Sequence, residues 1–340
     1  MNNQKTYLVC PLNWGLGHAS RMIPIIDKLV KDRHHVILGG DGDALTLLQQ
    51  NFPKLSTIRI ADIRVNFRFK WMLINLLVLI PKILKSTIKE HFILKQILKN
   101  HSIDVVISDN RYGLWTNKAR SIIVTHQLML KLPFPFRFME YCTHLIIKKM
   151  ISRFHSCWVP DYKEKVKSLS GDLSRKYPIH SMVMFIGPLS RFSSQKELNN
   201  HQTFQVVAII SGPEPSRSKL EKSLIKLLQH HTEKCLIIQG KPNKDVNYTT
   251  IDNVTLASHM PTAELKCLLK NASIIICRSG YSSIMDLEAI KLKAILIPTP
   301  GQTEQEYLSK YLKNRHTIIQ QDELDTLSPD KLFSIFNSHR

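Results

Sequence analysis

The 340-residue sequence has no apolar stretch near the ~20 residues that a helix needs to span a bilayer, which excludes a transmembrane helix. It has no Cys-x-x-Cys pair and no Cys/His cluster at metal-ligand spacing. Its six cysteines, Cys10, Cys142, Cys157, Cys235, Cys267 and Cys277, are scattered, so they read as buried thiols in a reducing compartment and not as a zinc module or disulfide framework. The opening MNNQKTYLVCPLNW lacks the long apolar core of a signal peptide and reads as a first strand. No RNP, zinc-finger or other nucleic-acid motif occurs, so nucleic acid is not an expected partner. Acidic residues are scarce in one part of the chain only. Residues 1–200 hold 30 Lys/Arg against 13 Asp/Glu, whereas residues 201–340 hold 17 against 14, so most of the net +20 belongs to the first part. A field of that sign seeks an anionic surface or substrate.

Hydrophobic content of 43% and charged content of 22% describe an ordinary globular chain, and the length exceeds what one core usually organises. TYLVCPL, HHVILGG, DVVISD, SIIVTHQ, SCWVPD and VMFIGPL are short apolar runs separated by helical stretches, the pattern of an α/β fold with parallel strands. The polar stretch 190–203 reads as a linker. QVVAIISG, CLIIQG, VTLAS, SIIICRSG and AILIPTP then repeat the pattern. Two Rossmann-like domains are expected, 1–192 and 203–325, with their parallel sheets facing across a cleft. A C-terminal segment, 326–340, is expected to pack back on the first domain.

Three strand-to-helix junctions carry residues suited to chemistry. In GLGHASR, Gly15 and Gly17 allow a tight turn and put His18 near a helix N-terminus, where a histidine can serve as a general base. The same loop also fits a dinucleotide-binding turn, with Asp41 as the ribose-binding acid, and the motif alone leaves both readings open. Asp109, ending DVVISD, is placed to orient His18 or to cap a helix. In SGPEPSRSK, Ser211, Gly212 and Ser216 offer backbone N–H groups to phosphate, with Arg217 near. In ICRSGYSSIMDLEAIKLKAILIPTPGQTEQEY, a small-residue loop opens a helix bearing Asp286 and Glu288, followed by a strand and a polar loop. Phosphate on the loop and ribose on the carboxylate is one reading; helix capping by Ser282 is the other. Asp41-Gly42-Asp43 could hold a divalent ion in another context, but a turn explains it here and no metal site is expected.

The last segment resembles the donor-binding signature of the glycosyltransferase family 28 C-terminal domain, the family of the MurG-like N-acetylglucosaminyltransferases. It has Cys277-Arg278-Ser279-Gly280, Ser283, Asp286-Leu287 and Pro298-Thr299-Pro300 where that pattern runs S-R-x-G-x-x-T-x-x-E-L and then P-x-P. GLGH resembles the family's N-terminal G-x-G-G-H, and GPLSR its G-N-P-V-R, which carries over to Arg191. Two departures stand out: Asp286 replaces a glutamate, and Glu306-Tyr307 replaces a His-Gln pair, leaving Gln302, Glu304 and Gln305 for the sugar. The resemblance implies a GT-B fold and an inverting, metal-independent hexosyltransferase without cofactor. It implies a nucleotide-sugar donor, with UDP the expected nucleotide, and a glycan or lipid-linked acceptor. His18 and Asp109 are the implied catalytic pair. Gly15, Gly17, Arg191, Gly212, Ser216, Met260, Arg278, Ser279, Gly280, Ser282, Ser283, Asp286, Gln302, Glu304 and Gln305 are the implied donor-binding set.

Residues 64–99 hold eight basic residues and one acid, Glu90, around a bulky apolar run from Met72 to Ile80 with Phe69 and Trp71 beside it. That composition fits a helix or hairpin lying in a membrane interface, and equally an amphipathic helix packed on the sheet. The first reading predicts a cytoplasmic protein held peripherally at an anionic inner leaflet. A nucleotide-sugar epimerase, a dehydrogenase and a basic membrane- or nucleic-acid-binding module are the competing functions.

Overall fold

The computed structural model describes residues 4–61, 72–193, 203–212, 214–229, 232–241 and 245–337, with the backbone alone for 72–80, 83 and 337. Two compact units divide the chain, residues 1–190 and 191–340.

In the first unit, seven strands form one parallel sheet in the order β3-β2-β1-β4-β5-β6-β7. They are β1 (Thr6–Pro11), β2 (His35–Gly40), β3 (Ser56–Arg59), β4 (Val105–Asp109), β5 (Arg120–Val124), β6 (Ser156–Val159) and β7 (Val183–Phe185). The helices are α1 (Leu16–Lys31), α2 (Gly42–Asn51), α3 (Met72–Asn100), α4 (Glu140–Ile151) and the single turn α5 (Asp172–Arg175). Alternation along the strands assigns the faces. Val9 and Ile107 meet Met22, Ile26 and Leu48 of α1 and α2, while Leu8, Cys10 and Val106 meet Leu94 and Ile97 of α3. Each such side chain stabilises the unit by about 1.5–3 kcal/mol relative to exposure.

A buried ion pair fixes α3. Arg111 Nε donates to Glu90 Oε1 at 2.9 Å, its terminal nitrogens donate to the carbonyls of Ile60 and Ala61, and the Gly113 N–H donates to Glu90 Oε2. Gly113 must lack a side chain here, since a Cβ would stand 2.2 Å from the Thr87 carbonyl oxygen. From Met72 onward the basic apolar stretch is one continuous helix and not a hairpin. Residues 64–71, with Phe69 and Trp71, lie outside the described residues.

The second unit repeats the plan with order β10-β11-β9-β8-β12-β13-β14. Its strands are β8 (Val206–Ile209), β9 (Cys235–Ile238), β10 (Tyr248–Ile251), β11 (Val254–Ala257), β12 (Ile274–Cys277), β13 (Ile295–Leu296) and β14 (Thr317–Ile318). The helices are α6 (Ser216–Leu228), α7 (Thr262–Asn271), α8 (Tyr281–Ile290), α9 (Thr303–Tyr311) and α10 (Pro329–Asn337). Only the edge strand β10 runs antiparallel among the described pairings. Leu332 and Phe336 of α10, in the C-terminal segment expected to pack back on the first domain, are buried with Ala208, Leu224 and Ile276 in the core of the second unit. Arg191, expected to end the first domain, falls in the second unit.

Of the cysteines, Cys10, Cys157, Cys235 and Cys277 are buried as expected, whereas Cys142 is exposed and Cys267 half-buried. Burial pushes the Cys10, Cys157 and Cys277 thiols up to about 12, which makes them unreactive. Among the described residues, no helix is long and apolar enough to cross a membrane.

Candidate active site

Both sheets reverse their winding direction at one place, between β1 and β4 in the first unit and between β8 and β12 in the second. Loops leaving the carboxyl ends of two such strands diverge and leave a crevice, which is where open α/β sheets bind ligands. All three junctions singled out in the sequence leave these strands.

In the first unit, Gly15 takes φ +128° between β1 and α1, a value that side chains rarely adopt, and a Cβ there would meet nothing. The constraint is therefore conformational. Gly17 follows in the first turn of α1, and His18 sits one residue on, with its side chain 19% exposed. Asp109 ends β4 and is wholly buried. His18 Nδ1 lies 2.8 Å from Asp109 Oδ2. When Nδ1 carries the proton and gives it to Asp109, Nε2 keeps a lone pair, the state a general base requires.

Arg21, absent from the sequence expectation, completes the group. It is 2% exposed, and its Nε lies 3.0 Å from both Asp109 oxygens. Its Nη2 lies 2.5 Å from Asp109 Oδ1 and 2.7 Å from His18 Nδ1. Burial alone would raise the Asp109 carboxyl; the charges of Arg21 and then His18, with their hydrogen bonds, hold it below the usual carboxylate range. The signal was available in GLGHASR, where Arg21 stands three residues after His18 and hence on the same helix face.

Asp41 Oδ1 accepts from Arg59 Nε at 2.9 Å, and Asp43 lies in the first turn of α2. These are ordinary roles for a strand-to-helix turn.

In the second unit, Gly212 follows β8 with φ +103° and open space where a Cβ would stand. Ser216 is the first residue of α6. Gly280 is the N-cap of α8, again beside open space, so the capping position falls on Gly280 and not on Ser282. Ser282 and Ser283 lie half-buried in the first turn of α8. Asp286, one turn further, receives Arg191 Nε on Oδ2 at 3.0 Å. The structure thus joins Arg191 to the carboxylate expected to hold ribose.

Three members of the expected donor set have their side chains turned to the loop itself. Arg278 is wholly buried, and its guanidinium donates to the carbonyls of Ser216, Ile297 and Pro298. Burial pushes it down to about 10. It ties together three segments and does not present its charge to a ligand. Ser279 Oγ donates to the Gln305 carbonyl at 2.9 Å. Gln305 in turn accepts the Thr299 N–H on Oε1 and lies 2.5 Å from Gln302 through Nε2. The polar stretch after Pro300 is also less irregular than expected: α9 starts at Thr303 with Gln302 as its N-cap and Glu304 in its first turn. Met260, 8% exposed, follows β11 and lines a cavity of about 360 Å³ with Phe204, Leu236 and Tyr248.

Comparison with known proteins gives this geometry a context. Residues 195–334 match the glycosyltransferase family 28 C-terminal domain. A curated relative from Sulfurihydrogenibium sp. (strain YO3AOP1) is a UDP-N-acetylglucosamine–N-acetylmuramyl-(pentapeptide) pyrophosphoryl-undecaprenol N-acetylglucosamine transferase. It is 26% identical over 171 residues, which cover 46% of this chain and 48% of the relative. The match therefore spans about half the length of that relative. Among solved structures, the glycotransferase of kitacinnamycin aligns with 100% of this chain and 91% of its own at a TM-score of 0.66 and 14% identity. A calicheamicin glycosyltransferase aligns with 99% of this chain and 90% of its own at 0.62 and 9%. At such identities the likeness is one of fold, the GT-B fold of two Rossmann-like domains.

Proposed function

We propose that this chain, whose residues 195–334 match the glycosyltransferase family 28 C-terminal domain, is a glycosyltransferase that moves a hexosyl group from a nucleoside-diphosphate sugar to a membrane-proximal or lipid-linked acceptor. The observation that carries this reading is the β12–α8 junction inside the matched domain, where open backbone at Gly280 leads into α8 and a carboxylate stands one turn beyond. The helix N-terminus suits a diphosphate, and Asp286, steadied by Arg191, suits ribose hydroxyls.

In the proposed reaction, His18 Nε2 takes the proton of the acceptor hydroxyl as that oxygen attacks the anomeric carbon. The bond from the anomeric carbon to the phosphate oxygen breaks, and the nucleoside diphosphate leaves with the bonding pair. Attack opposite the leaving group inverts the anomeric centre. Ionised Asp109 stabilises the imidazolium that forms. The N–H groups at Gly212 and Gly280, with the dipole of α8, stabilise the departing diphosphate without a metal ion. The relative's name supports UDP as the nucleotide and a lipid pyrophosphate as acceptor.

A lipid-linked acceptor calls for an enzyme that works at a membrane surface, proposed here as the inner face, and the exposed side chains of the first unit support this. Leu84, Ile88 and Phe92 are exposed at four-residue spacing on α3, with Lys85 and Lys89 between them, and Phe134 and Phe138 are exposed just before α4. Calorimetry with UDP, GDP, TDP and NAD tests the donor side. UDP is expected to bind tightest, and Asp286→Ala to weaken it by about 1–3 kcal/mol through loss of charged hydrogen bonds. Tighter binding of NAD than of any nucleoside diphosphate overturns the reading.

A further inference from the structure

His18 Nδ1 has two neighbours that make incompatible demands. Asp109 Oδ2, at 2.8 Å, is the oxygen of an ionised carboxylate and can only accept, so it favours a proton on Nδ1. Arg21 Nη2, at 2.7 Å, can only donate, so it favours a bare Nδ1. Neither neighbour can withdraw easily. Arg21 is buried and holds Asp109 through Nε as well as Nη2, and both residues leave backbone elements in the core of the unit. Tyr112, in the loop after β4, also lies close enough to Asp109 and Arg21 to interact with both charges. Burial pushes its hydroxyl up, so it is neutral and leaves the balance of charge to Arg21 and Asp109.

We propose that Arg21 is a positioning residue that competes with Asp109 for His18 Nδ1, and so sets the tautomer of the imidazole. This rests on the reading of His18 as the base. With the proton on Nδ1, donated to Asp109, Nε2 is bare and the base is ready. With Nδ1 accepting from Arg21, the proton sits on Nε2 and the base is blocked. Arg21 also cancels the charge of Asp109. The device divides His18 between a ready and a blocked tautomer beside an ionised carboxylate.

The test is ¹⁵N and ¹³C NMR of histidine-labelled protein, with His18→Ala to assign the resonance among the fifteen histidines. This readout needs no substrate, so it stands apart from the transferase assay. Wild type is expected to show both tautomers. Arg21→Met is expected to show the Nδ1–H form alone, since the donor that favours a bare Nδ1 is gone. Arg21→Lys keeps the charge without the fork, and its tautomer should also move to Nδ1–H. If Arg21→Met does not fold, Arg21→Lys decides alone. A folded Arg21 variant with wild-type tautomer populations overturns the proposal. Failure of the transferase reading looks different: no nucleotide sugar turns over in wild type, or His18→Ala turns over normally.

Discussion

Asp109→Asn should destabilise the first unit far more than its small change in size suggests. The carboxylate is wholly buried and receives Arg21 through three contacts of 2.5–3.0 Å. An amide of the same shape leaves the Arg21 guanidinium buried, charged and facing an NH2 group. Breaking a buried ion pair from one side costs about 3–5 kcal/mol. For a domain of this size, each kcal/mol lowers Tm by roughly 2–4 °C, so a fall of roughly 6–20 °C is expected. The assay is selective, because all four tryptophans, Trp14, Trp71, Trp115 and Trp158, lie in the first unit, and their fluorescence follows that unit alone. Arg21→Met combined with Asp109→Asn removes both charges, and the double variant should be less destabilised than the sum of the singles. The effect should also depend on pH. Asp109 is held below its ordinary value of 3.8, so its contribution is fully present above that pH and is lost as pH falls through the lowered folded value. The gap between wild type and Asp109→Asn should close at acid pH. An Asp109→Asn protein that melts within about 2 °C of wild type at pH 7 refutes the buried-pair reasoning.

His18→Ala should lower kcat by about 10²–10⁴-fold with UDP binding nearly intact, measured by product release and calorimetry; near-normal turnover moves the base elsewhere. Transfer should persist in EDTA, because Asp41 of the Asp-x-Asp triplet is paired with Arg59; loss in chelator restored by Mn²⁺ or Mg²⁺ contradicts this. In flotation assays the protein should bind anionic vesicles and release as salt rises. Binding should fall further when the exposed Lys82, Lys85 and Lys89 become Glu, each lysine contributing on the order of 1 kcal/mol at most. No binding at low salt sinks the peripheral-membrane proposal.

Strands such as QVVAII and SIIIC were legible because a parallel sheet buried on both faces needs short unbroken apolar runs, each here followed by a Gly- or Ser-containing loop. β10 was not, because Tyr248–Ile251 is an exposed edge whose four residues carry no burial signal. The side on which α10 packs was equally hidden, since Leu332 and Phe336 announce an apolar stripe without naming its partner. At the candidate site, glycines and serines at strand ends marked the right junctions, and Asp109 could be placed near His18 because Asp109 ends β4 and His18 lies just past β1, strands adjacent in the usual winding. Which polar side chains face a ligand and which brace the loop was beyond reach. Arg278 and Ser279 look like ligand contacts by residue type, and only three-dimensional burial reveals carbonyls as their partners. Arg21 was passed over for the opposite reason: a lone arginine in a helix of the basic half has an ordinary solvated reading.

Under the proposed function, the Arg278 guanidinium has a consequence for the kinetics of donor capture. By holding the carbonyls of Ser216, Ile297 and Pro298 at once, it links the start of α6 to the loop after β13. Segments far apart in the chain are thereby ordered before any ligand arrives. A donor that meets such a preordered surface gives up its own freedom on binding but little of the protein's. Association then does not wait for these segments to order. Discrimination between one nucleotide sugar and another falls on how long each stays.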